Sequence, residues 1–405
     1  MKKVELLAPA GDFEKLKTAC YFGADAVYVG GKNFSLRAQA GNFSDEELAE
    51  AVRYVHERGK KLYVAVNILA RNADLAPAEK YFRFLESVGV DGAIVSDTGL
   101  IAMALRVAPK LPVNVSTQAN VTNAETVRFF AETGVKRVIL ARELSLKEIA
   151  EIHAVVPDVE IEAFVHGAMC ISYSGRCLLS NYLSGRDGNR GECVQACRWS
   201  YELREKNKGG EWLGVEEDGR GTYIFNSKDL NMISHLGEMI ESGVVSFKIE
   251  GRMKSSYYIA TVVNAYRRAI DAYYARGNAY KDDPLYLCEL KKTAHRAFTT
   301  AYMLGDNAET VNYSDSQSRG KRTFIALVLG YDEEKKRALV EMRNRFRKGD
   351  VLEVLSPSDA LNEKIAVNRL EDTDGAAVED AKLVMQKLYL YTDVKLSAGD
   401  ILRRE

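Results

Sequence analysis

Six cysteines occur in this chain. Four of them, Cys170, Cys177, Cys193 and Cys197, fall within one short segment with the spacing C-x6-C-x15-C-x3-C. Four thiolates can hold a tetrahedral zinc ion or a [4Fe–4S] cube. Structural zinc sites favour closely spaced pairs at both ends. Only Cys193 and Cys197 approach that here, and the wider first pair is a spacing that an iron–sulfur cluster tolerates. Both ligands stay open at this level, as does the plain reading of four unliganded thiols. Disulfides fit least. The N-terminal residues carry charge rather than the apolar core of a secretory signal, and no run approaches the roughly 18 apolar residues of a membrane helix. A cytoplasmic protein with reduced thiols and no membrane partner is therefore expected.

Other residues near the cysteines could act with them. Glu162 and His166 lie four positions apart on one apolar run, so period-2 alternation would place both on one strand face. Such a pair suits a hydrolytic site, a hydroxyl-transfer site or a buried hydrogen bond. The chain has five histidines and neither an H-E-x-x-H nor a G-x-S-x-G motif, so no protease constellation stands out. Arg176, Arg186, Arg190 and Arg198 are interleaved with Tyr173, Tyr182 and Trp199. Arginine for phosphate and aromatics for stacking fit unpaired RNA bases, although the rings could equally shield a cluster. Lys and Arg number 56 against 57 Asp and Glu, so any nucleic-acid site must be local. A second basic run, Arg343, Arg345, Arg347 and Lys348, reads as a solvated turn.

These residues need elements to position them. Short apolar runs at 4–8, 26–29, 62–66, 92–95, 113–115, 137–140, 159–163 and 245–249 alternate with amphipathic segments such as 46–57 and 146–155. Such runs suit parallel strands buried on both faces. Eight units predict an α/β fold, a (β/α)8 TIM-like barrel, with a doubly wound sheet as the alternative. Barrel enzymes keep their chemistry at the strand C-termini, where Asn67, Gln118, Arg142, His166 and Arg252 fall. A cysteine-bearing insertion, about 168–228, precedes the last strand. It contains a predicted hairpin, 201–204 against 222–225, and a helix is expected from about Asp229 with Ser227 or Asp229 as its cap. The barrel would occupy 1–277, a helical connector 278–320, and a small C-terminal β-barrel domain 321–405.

The stretch Glu-x-Phe-x-x-Gly-Ala-Met-Cys-x4-Gly-x-Cys-x-Leu-Ser, residues 162–180, resembles the signature of the collagenase-like peptidase family U-32. The resemblance extends to Leu-Ala-Pro-Ala-Gly at 7–11, Phe-Ser-Leu-Arg at 34–37, Val-Ser-Thr-Gln-Ala-Asn at 115–120, Asn-Ser-Lys-Asp-Leu at 226–230 and Phe-Lys-Ile-Glu-Gly-Arg-Met-Lys at 247–254. The tail resembles the β domain appended to many members. Within the family the pattern is most similar to tRNA hydroxylation proteins, which implies a tRNA partner and 5-hydroxyuridine at the wobble position. It also implies prephenate as the hydroxyl donor and a [4Fe–4S] cluster on the four cysteines, with zinc as the alternative metal. A paralogous family member is a further possible partner. On that reading Glu162, His166 and Arg252 are the catalytic candidates. Arg37, Asn67, Gln118, Arg142 and Lys254 are the binding candidates, with Arg37, Arg252 and Lys254 as the cations for a small carboxylate donor. The rival readings are a family peptidase and a non-enzymatic RNA or protein adaptor with a structural metal.

Overall fold

The computed structural model describes residues 3–36, 41–199, 227–305 and 320–405, together with the backbone of 217–218 and 221–222. Eight parallel strands run β1 Glu5–Pro9, β2 Ala26–Gly30, β3 Lys61–Val66, β4 Gly92–Val95, β5 Val113–Val115, β6 Arg137–Ile139, β7 Glu160–Ala168 and β8 Val244–Ile249. Each pairs with the next, and β8 pairs with both β7 and β1, so the sheet closes into a barrel. Almost every strand residue is buried, because one face packs inside the barrel and the other against helices.

The helices outside are α1 Phe13–Tyr21, α2 Asp45–His56, α3 Asn72–Val88, α4 Thr98–Val107, α5 Ala124–Glu132, α6 Leu146–Val155, α7 Leu236–Glu241 and α8 Ser256–Arg276. Their starts follow from capping chemistry. Asp12, Asp97, Asn123 and Ser255 each accept a first-turn backbone N–H, and Ser44 with Glu47 and Ser145 with Glu148 form capping boxes.

Two expectations need correction. Asp229 is not a helix cap. It begins a short strand, Asp229–Asn231, antiparallel to the end of β7, and its buried carboxylate accepts three hydrogen bonds from Arg296. The segment after α8 is not a purely helical connector either. A helix covers Pro284–Leu290, and the chain then returns to the barrel, where Phe298–Thr299 pairs parallel with Asp229–Asn231. Arg296 draws that return, since a buried carboxylate needs a buried cation. In the basic run read as a solvated turn, Arg343 pairs with Glu14 and Glu341, Arg345 with Asp380 and Lys348 with Glu379. The hairpin expected at 201–204 and 222–225 lies outside the described residues.

The C-terminal part is a seven-stranded antiparallel sheet with its own apolar core, plus a two-stranded ribbon. Its edge strands, Lys364–Ala366 and Leu370–Asp372, are joined by only three residues, so the sheet curls back toward itself in a barrel-like way. Arg403, fully buried, ties it to the Pro284–Leu290 helix through Glu289 at 2.7 Å while also holding Glu353 at 2.7 Å.

The barrel interior holds ions. Glu162 on β7 is fully buried and meets Lys248 of β8 at 2.7 Å and Arg137 of β6 at 3.2 Å. Arg137 also reaches Glu5 of β1 at 2.6 Å. Burial alone would raise the Glu5 carboxyl, but Arg137 outweighs it and holds the group below its ordinary range. Removing one partner of such a set leaves an uncompensated buried charge. Lys248→Met is therefore expected to cost about 3–5 kcal/mol in chemical denaturation. Adding Glu162→Gln should recover part of that loss, and a simple sum of the two single costs would contradict the coupling.

Candidate active site at the barrel mouth

Above the ion layer the interior opens into a cavity at the C-terminal ends of the strands. Tyr28, Phe164 and Lys248 form its lower wall, and Asn67, Gln118 and Arg252 its rim. The structure thus brings together three residues that the sequence singled out. Asn67 donates to the Gln118 side-chain oxygen at 3.1 Å and accepts from the Leu36 backbone, so strands β3 and β5 are linked across the rim. Arg252 donates to Ser35 Oγ at 2.6 Å and is buried. Gly30 permits this, because a Cβ there would stand 2.2 Å from the Arg252 guanidinium. Lys248, Tyr28 and Glu250 also line the cavity and were missed from sequence. The available signal was a lysine inside an otherwise apolar strand.

The cysteine segment is fastened over this rim. Arg142 donates to the Ala168 carbonyl at 2.8 Å and to Ser174 Oγ at 2.6 Å. Asn120 donates to the Ser174 carbonyl at 2.9 Å and accepts from Arg176 at 2.6 Å. Further along, Arg190 forks onto Asp74 at 2.8 and 3.1 Å, and Asn189 reaches the Cys177 carbonyl at 3.0 Å. Gly175, in the left-handed region at φ +74°, lies against the Gln118 side chain, where a Cβ would approach to 3.0 Å. Arg142 is therefore a residue that positions this segment, whereas the sequence reading had it line the cavity.

Glu162 and His166 do not form a unit. A register shift between Lys248 and Ile249 of β8 leaves Val165 of β7 as a bulge, which reverses the alternation beyond it. Glu162 points inward to its cations. His166 points outward, among the rings of Tyr258, Tyr266 and Phe298 at 5.5–6.0 Å. Burial pushes its imidazole down to about 3. Lys254 also lies on this outer side, over the Tyr258 ring at 5.2 Å, with its ammonium lowered by burial. It is not part of the cavity wall. Arg37 lies outside the described residues.

Cys170, Cys177, Cys193 and Cys197 are all free thiols. Cys170, Cys177 and Cys197 are half-buried and Cys193 is exposed. Burial, followed by the charges of Cys170, Cys193 and Cys177 among its neighbours, pushes the Cys197 thiol up to about 11. Among the described residues no three Cys, His, Asp or Glu side chains stand close enough to hold a single metal ion. What fits a metal cluster is the donor set: four soft thiols on one fastened segment, each within electrostatic reach of Cys197, with the Arg198 cation beside them.

His166 yields a direct check. A histidine whose folded pKa is depressed adds stability above its ordinary pKa of about 6.5, and that contribution fades as pH falls. NMR of labelled histidine should find His166 neutral down to about pH 4, consistent with its burial. A midpoint between 6 and 7 would contradict the outward, enclosed placement.

The family model described as peptidase family U32 matches residues 11–313, and its C-terminal domain model matches 321–403. "tRNA hydroxylation protein P1" of Bacillus subtilis is 41% identical over 404 residues, covering 100% of this chain and 95% of that protein. "23S rRNA 5-hydroxycytidine C2501 synthase" of Escherichia coli is 35% identical, covering 81% of this chain and 48% of that one. "Collagenase" of Porphyromonas gingivalis is 33% identical, covering 78% of each. No helix among the described residues is long and apolar enough to cross a membrane. A barrel with its rim capped by a four-cysteine segment, followed by an appended β domain, accompanies these matches, and the chain belongs to peptidase family U32.

Proposed function

We propose that this chain is a tRNA-modifying enzyme that hydroxylates the wobble uridine to 5-hydroxyuridine. The hydroxyl donor in this proposal is prephenate, and the thiols of Cys170, Cys177, Cys193 and Cys197 carry a [4Fe–4S] cluster. The observation that carries the reading is the four-thiol segment fastened across the barrel mouth, in a chain that aligns end to end with a protein named for tRNA hydroxylation. The relative named for 5-hydroxycytidine supports the same position, C5 of a pyrimidine ring.

Each part of the mouth has a role in this reading. Asn67 and Gln118 present amide groups suited to the edge of a pyrimidine, and Tyr28 and Phe164 place aromatic rings in the wall, with the Lys248 ammonium over them at 4.4 and 5.7 Å. Arg252 supplies a planar guanidinium for a donor carboxylate, above Lys248, whose own charge is paired with Glu162. A bound cluster would supply electron-transfer chemistry beside the mouth, with Arg198 offsetting its negative charge. A paralogous family member remains a partner to be sought by co-purification.

The peptidase alternative rests on the likeness to the collagenase. It would need an acid–base pair, and the pair offered by sequence is split, Glu162 neutralised by Lys248 and Arg137 and His166 facing outward.

Two outcomes are expected. Deleting the gene should remove hydroxyuridine-derived nucleosides from tRNA, read by mass spectrometry of digested tRNA, and the wild-type gene should restore them. Arg252→Lys should restore them only weakly, because a lysine cannot copy the guanidinium fork. Unchanged tRNA in the deletion strain, with peptide cleavage by the purified protein, would favour the peptidase. Anaerobically purified protein should also be brown and contain iron. Ala in place of any of the four clustered cysteines should lose the iron, while Cys20→Ala and Cys288→Ala keep it. Colourless protein with stoichiometric zinc would overturn the cluster.

A further inference from the structure

A second concavity lies outside the barrel, between the segment that follows β2 and helix α3. Phe34, Tyr81 and Phe84 form an aromatic wall, and Lys32 and Lys80 stand exposed beside it. The Phe34 and Tyr81 rings lie 5.5 Å apart, and Tyr81 and Phe84 stack at 6.1 Å and 24°. Among the described residues neither Lys32 nor Lys80 forms an ion pair of 4 Å or less, unlike Arg190, which reaches the same groove but is held by Asp74. Asp45 is the one carboxylate of the lining that stands beside the aromatic wall without such a partner.

The groove is joined to the mouth through one short piece of backbone. Ser35 lines the groove and accepts from Arg252 of the mouth, while the Phe34 carbonyl accepts from the Asn67 N–H at 3.0 Å. Gly30 and Gly31 form the partition. A Cβ on Gly30 would meet Arg252 at 2.2 Å, and one on Gly31 would meet the Tyr81 hydroxyl at 2.0 Å. That hydroxyl is buried and has no hydrogen-bond partner among the described residues, although Tyr81 is 93% covered. A buried phenol left unpaired at the junction is available to a ligand that brings an acceptor there.

We propose that this groove binds the nucleotide next to the target base: the neighbouring base stacks on Phe34 and Phe84, and the backbone phosphates pair with Lys32 and Lys80. The inference rests on the RNA reading above and deepens it, by placing one unpaired nucleotide outside the barrel while its neighbour enters the mouth. Stacked rings beside unpaired lysines match single-stranded RNA, where aromatic faces take any base and cations follow the backbone. A peptide without acidic side chains would find the rings but no use for two free cations.

The test uses the full-length protein and a fluorescent anticodon stem-loop RNA with the target uridine. Lys32→Ala with Lys80→Ala, both on exposed side chains, should leave thermal stability unchanged. The pair should weaken binding about tenfold and flatten the slope of log affinity against log salt by about two. Phe84→Ala should weaken binding to a similar degree, and an RNA made abasic at one neighbour of the target should lose the same affinity against wild type but nothing more against Phe84→Ala. Lys147→Ala, on exposed α6, should behave as wild type. Wild-type affinity and salt slope in the lysine pair would overturn the groove while leaving the RNA reading standing. Failure of the wild-type protein itself to bind the RNA would instead sink the RNA reading. Tight binding of an unstructured acidic peptide, lost in the lysine pair while RNA binding persists, would reassign the groove to protein.

Discussion

The buried carboxylate of Glu162 is the constraint around which the molecule is arranged. Its partners come from both neighbouring strands, Arg137 on β6 and Lys248 on β8, and Arg137 carries the network on to Glu5 of β1. These four strands bracket the seam where the barrel closes. That seam is also where the longest connection in the barrel leaves β7 and returns as β8, with the cysteine segment inside it. Long connections between paired strands carry a closure entropy that grows with length. Ion pairs across the seam answer it with interactions that exist only when all four strands are in register. They are a device for register as well as for stability, because a slip by one residue would strand a charge in an apolar interior.

A closed barrel sends all its strand ends to one rim, and here the unusual chemistry is tied to that rim from several sides. Arg142 and Asn120 hold the start of the cysteine segment, Arg190 and Asn189 hold its later part, and Gly175 lets it lie against Gln118. Free thiols are thus kept near a cavity whose walls offer amides, rings and cations. Behind the rim a different environment forms, with His166, Lys254 and the Asp229–Arg296 pair packed among tyrosines. The bulge at Val165 separates the two, sending Glu162 inward and His166 outward on the same strand.

The barrel was legible because its strands are short apolar runs and the segments between them are amphipathic, both local signals. Asn67, Gln118 and Arg252 were legible for a related reason, as polar residues within three positions of the ends of such runs. What failed was non-local. Asp229 looks like a cap until Arg296 is seen to claim it from 67 positions away. Glu162 and His166 look paired until the bulge, which depends on the facing register of β8, breaks the alternation. The interior ions were written in the sequence as charges at inward positions of four strands, but only closure shows that Glu5, Arg137, Glu162 and Lys248 meet. The need for glycine at 30 and 31 is equally non-local, since it comes from Arg252 and Tyr81 arriving from distant segments.

The central claim is that a pyrimidine of RNA enters the barrel mouth beneath the cysteine segment. Photo-crosslinking places the base most directly. An anticodon stem-loop with 5-iodouridine at the target position would be irradiated with the full-length protein, and the attached peptide mapped by mass spectrometry. The account predicts attachment at the mouth, on Tyr28 or Phe164. Attachment confined to the C-terminal sheet, for example at Tyr389, or to the outer pocket around His166, would contradict it.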